Sequence, residues 1–267
     1  MTVLSGGVFG SAPDDLSDLR SLVDQIGERC FQSRIGHRGL PDDFDRTAWR
    51  HLEDAGLTRL DSTGDSGGGP AEVAVVLRSL ARHGVSVPLA ETDLLACWLA
   101  ARAGLELPES GPLTVAVDAA PVPYSADAVA VVIARRDGDR LLVAAADPAD
   151  LSITRGHNAG GEPRDAVIAD LPADAFVAVD GAAEELIRRG AWARCAQVIG
   201  ALDAAVEFSV AHTREREQFG RPLSAFQSVQ QTLAGMAGEV ERARAAANLA
   251  VAAAADRGFD DPHTDYA

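Results

Sequence analysis

The sequence predicts an α+β fold that is mainly α, with an N-terminal helical domain over 1–108, a small middle β domain over 109–181 and a C-terminal helical bundle over 182–267. Three observations predict it. Apolar residues recur every three or four positions in the first and last regions, as on helices buried along one face. Between them stand short aliphatic, β-branched runs bounded by turn residues, and Asp137-Gly138 between two such runs is a hairpin signal. With 267 residues, 47% of them hydrophobic, the chain is long and apolar enough to bury real cores.

Short helices are expected from 16 to 107, where Trp49, Leu52, Ala55 and Leu57 make one stripe and Val73, Val76, Leu77 and Leu80 another. The run Asp61-Ser-Thr-Gly-Asp-Ser-Gly-Gly-Gly-Pro70 interrupts them as a surface loop, and Glu72 is an acid in the first turn of the next helix. No strand precedes that glycine run, so it reads as a loop and not as a phosphate cradle. Strands are predicted over 113–117, 128–134 and 140–145, with shorter ones near 166–168 and 176–179. From 182 onward two long helices are expected. One carries Cys195, Val198, Ile199, Leu202, Ala205, Val206 and Val210; the other carries Val229, Leu233, Met236, Val240, Ala243, Ala247 and Val251.

Composition excludes several functions. The formal charge of −16 repels polyanions, so neither a nucleic acid nor an anionic membrane surface is an expected partner. The 24 residues counted as lysine plus arginine are all arginines. The absence of lysine removes Schiff-base chemistry and the P-loop lysine. Cys30, Cys97 and Cys195 are widely separated, as reduced thiols of a cytoplasmic protein would be, and no metal site is expected. No basic-then-apolar leader opens the sequence, and its apolar runs are too short or too interrupted for a membrane span.

One segment carries chemistry. Between the two long helices lies Arg214-Glu-Arg-Glu-Gln-Phe-Gly-Arg-Pro-Leu-Ser-Ala-Phe-Gln-Ser-Val-Gln230, followed by Leu233-Ala-Gly-Met236. Arg216 offers a planar, permanent cation able to take a diphosphate bidentately. Phe219 offers an aromatic face, Gly220 allows close backbone approach, and Gln227 both donates and accepts. On the residues alone, Arg216 also reads as a solvated arginine between Glu215 and Glu217, and Phe219 as a helix-end core residue. The segment resembles the acyl-CoA dehydrogenase signature, in which a helix ends in Arg-x-Gln-Phe-Gly-x-Pro-Leu and a second restarts at Phe-Gln with Leu-Ala-x-Met behind it. Trp49 to Leu57 and Val87 to Leu95 resemble earlier parts of the same family, and the predicted domain order is the family's.

The resemblance implies FAD, shared across a subunit interface, with Arg216, Gln218, Phe219 and Gln227 contacting the cofactor held mainly by a neighbour. It implies α,β-dehydrogenation of an acyl-CoA, with an electron-transfer flavoprotein as candidate acceptor. The pattern departs at the base. The family position for the catalytic glutamate falls at Gly190 in Arg188-Arg-Gly-Ala-Trp192, so no catalytic residue is identified, and Glu184 and Glu185 read as a solvated helix start. The flavin-ring segment Thr-Glu-x-x-x-Gly-Ser-Asp has no counterpart in the middle region, and the sequence ends at Ala267 where relatives continue with two more helices. The expectation is therefore a small subunit of a heteromeric enzyme, or a C-terminally truncated member, that needs a larger partner or self-association. The alternative is a non-catalytic structural subunit that has lost FAD.

Overall fold

The computed structural model describes residues 7–9, 15–36, 43–62 and 68–261. Three helices open the chain: α1 (Ser17–Arg34), α2 (Arg46–Asp54) and α3 (Pro70–Arg82). The Asp45 carboxylate accepts the amides of Thr47 and Ala48 and starts α2, while Glu72 reaches back to the Gly69 amide at 2.9 Å and starts α3. Glu72 thus does what its place in the sequence predicts. Residues 63–67 of the glycine-rich run lie outside the described residues. Next comes a π-helical turn (Glu91–Cys97), continued by α4 (Trp98–Ala103) and ended by Gly104 in the left-handed region at φ 65°.

The middle region forms two small sheets. One is β1 (Leu113–Val117), β3 (Ala130–Asp137), β4 (Arg140–Ala146) and β7 (Val177–Asp180), in the spatial order β1-β3-β4-β7 with β1 and β3 parallel. The other is β2 (Val122–Pro123), β6 (Arg164–Ile168) and β5 (Ser152–Thr154), in the order β2-β6-β5. The predicted Asp137-Gly138 turn is a two-residue connection: Asp137 pairs with Arg140, and Gly138 takes φ 64°. Strands β2 and β5 have no signal in the sequence, because two or three residues are too few to show a period of two.

Two cores flank the first sheet. Val131 and Ile133 point toward the second sheet with Val122, while Leu113, Val132, Leu141 and Val143 meet Leu99 and Leu186 of the helices. The link to the helical part is polar as well as apolar: the Thr92 hydroxyl donates to the Leu113 carbonyl and accepts the Leu113 amide.

The C-terminal region is a helical hairpin, α5 (Ala182–Glu215) and α6 (Gln227–Arg257). Its inner half packs on α3 through Trp192, Ile199, Ala247 and Val251. Asp203 ties three helices together, bonding Arg78 at 2.7 Å and Arg244 at 2.6 Å. The α6 stripe keeps its predicted face, since Val229, Leu233, Met236 and Ala243 are half-buried and Val240, Ala247 and Val251 buried. The α5 stripe divides instead. Ile199 is buried and Leu202, Val206 and Val210 are half-buried, but Cys195, Val198 and Ala205 are exposed. Contact with α3 is centred on Ile199 and Gly200, too narrow a face to cover the whole stripe.

Candidate functional site

The distal end of the hairpin gathers all four cofactor candidates. Arg216 caps α5 in extended conformation, Gln218 lies in β8 (Glu217–Gln218), Phe219 is the turn, and Gln227 is the first residue of α6. β8 pairs with β9 (Arg221–Pro222) around the two-residue turn Phe219-Gly220, whose φ angles are 55° and 77°. Two successive positive φ angles make a primed hairpin turn, usual for glycine and costly for phenylalanine. The fold spends that cost on an aromatic ring that is 90% exposed. The alternative of a helix-end core residue for Phe219 is thereby excluded.

Internal bonds define the shape of the tip. The Arg216 carbonyl accepts the Leu223 amide at 2.9 Å, and Gln230 donates to the Ser224 carbonyl at 2.8 Å. Phe226 meets Phe219 edge-on at 6.2 Å, with the Arg221 guanidinium over its face at 4.0 Å. Arg216, Gln218 and Gln227 are exposed, and no side chain caps the start of α6. The tip therefore presents an uncapped helix N-terminus, a cation, an amide and a bare aromatic face, all turned away from the chain's own core. This donor set fits a dinucleotide diphosphate.

The position expected for a base lies elsewhere. Gly190 borders a 400 Å³ pocket between the π-helical turn, β1, β4 and the start of α5, and a Cβ at Gly190 would meet nothing within 4 Å. No carboxylate projects from this position. Glu184 is exposed as expected, but Glu185 is not part of a solvated helix start. It is buried and bonded to Arg189 at 2.9 Å, because the first turns of α5 lie against the sheet and α4.

Structure adds residues that sequence reasoning missed. Glu91, buried on the π-helical turn, pairs with Arg194 one turn beyond Gly190, and Glu91 holds that guanidinium in its charged form. Arg194 lines both the Gly190 pocket and a second cleft of 360 Å³ that contains Tyr124 and Glu162. There the Tyr124 hydroxyl lies 3.1 Å from Ser86 and donates to Glu162 at 3.3 Å, and burial raises its pKa.

Residues 181–266 match the family described as "Acyl-CoA dehydrogenase, C-terminal domain". The chain is 29% identical over 262 residues to acyl-CoA dehydrogenase FadE27 of Mycobacterium tuberculosis, covering 81% of this chain and 69% of that protein. Several further mycobacterial relatives align over 66 residues, 17% of their own length. Among solved structures it is similar to the ChsE4-ChsE5 complex of Mycobacterium tuberculosis, with a TM-score of 0.79 at 24% identity over 93% of this chain and 80% of that one. It is similar also to the "Tcur3481-Tcur3483 steroid ACAD G363A variant", with a TM-score of 0.74 at 27% identity over 91% and 78%.

Proposed function

We propose, for a chain that belongs to the acyl-CoA dehydrogenase family, that it is the cofactor-contacting subunit of a heteromeric enzyme dehydrogenating an acyl-CoA thioester, with the catalytic base on a larger partner. The observation that carries this reading is a division of labour: cofactor donors gathered on an outward tip, and a glycine where the base would stand. FAD, when bound, supplies the acceptor for the β-hydrogen as hydride, and an electron-transfer flavoprotein is the proposed outlet. On this chain, Arg216 binds diphosphate oxygens, Gln218 and Gln227 orient the cofactor by hydrogen bonds, and Phe219 excludes water from it. Two similar structures, the ChsE4-ChsE5 complex and Tcur3481-Tcur3483, each pair two differently named proteins, which supports a hetero-oligomer over self-association.

The test is co-purification with a candidate larger subunit, reading flavin absorbance per chain and dehydrogenation with an artificial acceptor. Arg216→Ala removes a charge-assisted contact of about 1.5–3 kcal/mol and is expected to weaken FAD retention about 10- to 100-fold. Unchanged flavin content in that variant complex favours the second reading, a structural subunit that has lost its cofactor role. Full occupancy and turnover by the isolated chain would overturn the heteromer.

A further inference from the structure

The Gly190 pocket has a charge pattern that neither the cofactor tip nor a dehydrogenase base explains. Its walls are apolar, with Leu95, Val115, Val117, Leu186 and Ile187 among them, yet its polar lining is three arginines, Arg136, Arg164 and Arg194, against the single acid Glu91. In a chain of formal charge −16, such a cationic concentration inside one cavity is against the grain of the whole surface.

Each cation can be traced to its partners. Arg194 is matched by Glu91 and also donates to Gln197 at 2.5 Å. Arg164 is matched only in part. Its Nη2 donates to Glu162 at 3.4 Å, an acid already shared with Asn158 at 3.1 Å and Tyr124 at 3.3 Å, while its Nε is buried without an acceptor among the described residues. The Arg136 guanidinium has no acidic partner among the described residues, and the neighbouring Asp118 carboxylate accepts the Arg136 backbone amide instead. A guanidinium donor left dry and unpaired is costly, and an entering oxyanion would recover that cost.

We propose that this pocket binds an apolar carboxylate, its anionic group on Arg164 and Arg136 and its hydrocarbon along the Leu95–Val115–Ile187 wall. The volume of 400 Å³ suits one small organic ligand. A thioester carbonyl is neutral and offers no charge to the buried Arg164 Nε or to Arg136, so the chemistry selects a free acid or an acyl group with a second, ionised end. The inference needs neither the flavin nor a partner subunit and stands apart from the assignment of the tip.

Calorimetry on the full chain, without flavin, tests it with octanoate and 1-octanol as probes, since they share a hydrocarbon and differ in charge. Octanoate is expected to bind one per chain and octanol at least about tenfold more weakly, the effect of one charge-assisted contact. Arg164→Gln and Arg136→Gln should each weaken octanoate by about tenfold or more, and Gly190→Leu, which fills open space, should abolish binding. Arg136 is exposed, so its variant folds even if Arg164→Gln does not. The proposal is overturned by absence of octanoate binding at millimolar concentration, by equal affinity for octanol, or by octanoate binding undiminished in Arg136→Gln or Gly190→Leu.

Discussion

Asp93 sits fully buried on the π-helical turn and accepts the amides of Asp61 and Ser62, both at 3.0 Å. Burial outweighs those two hydrogen bonds and raises its pKa above the usual carboxylate value. An acid whose folded pKa exceeds its unfolded one binds its proton more tightly when native. Its contribution is therefore full below the unfolded value of about 3.9 and is lost as pH rises through the folded value. Urea midpoints measured from pH 4 to 7 should fall less steeply with pH for Asp93→Asn than for the wild type; equal slopes would show that the carboxylate does not titrate differently on folding. At the same scale, Phe219 and Arg216 were singled out by the fixed-spacing motif, since residue type alone left a helix-end core residue and a solvated arginine as open readings. Glu91 and Arg194 were not, since a pair 103 positions apart leaves no local pattern.

The glycines of α5 argue at the scale of the element. A Cβ at Gly200 would stand 2.1 Å from the Arg78 carbonyl oxygen and 2.8 Å from the Arg82 amide nitrogen, both backbone atoms of α3 that cannot step aside. Gly200→Ala should therefore cost about 3 kcal/mol, the upper end of the range for overpacking. Gly190, ten residues earlier on the same helix, has nothing within 4 Å of its Cβ position. Gly190→Ala should stabilise by roughly 0.5–1 kcal/mol, the ordinary helix preference for alanine. Denaturant unfolding of the two variants checks both signs, and a stabilised Gly200→Ala would refute the close helix contact. The sequence shows both residues as identical interruptions of an amphipathic helix. Only the approach of α3 separates them, and that approach depends on residues more than a hundred positions away.

For the whole molecule, the hairpin falls into two unlike halves. Its inner half shares the core with α1, α2 and α3, whereas no residue from 201 to 239 is buried, although Val206, Val210, Leu233 and Met236 lie along it. Amides of 201–239 are therefore expected to exchange with solvent faster than those of α3 or of 182–200 in the isolated chain. If a larger subunit covers this half, their exchange should slow on complex formation, as mass spectrometry of both states would show. No helix among the described residues is long and apolar enough to cross a membrane, so membrane burial of this half as a spanning helix is not an alternative.

Element types, the order helical–β–helical and the cofactor-like tip were written in the sequence, because period, turn chemistry and a fixed-spacing motif are local properties of the chain. The absence of a side chain at residue 190 was equally plain. What tertiary structure alone decided was where those residues face: the tip outward, Glu185 inward, and Arg136 and Arg164 into a pocket beside Gly190. Those facts depend on which surfaces meet, and the meeting of surfaces is a sum over distant contacts that no window of sequence contains.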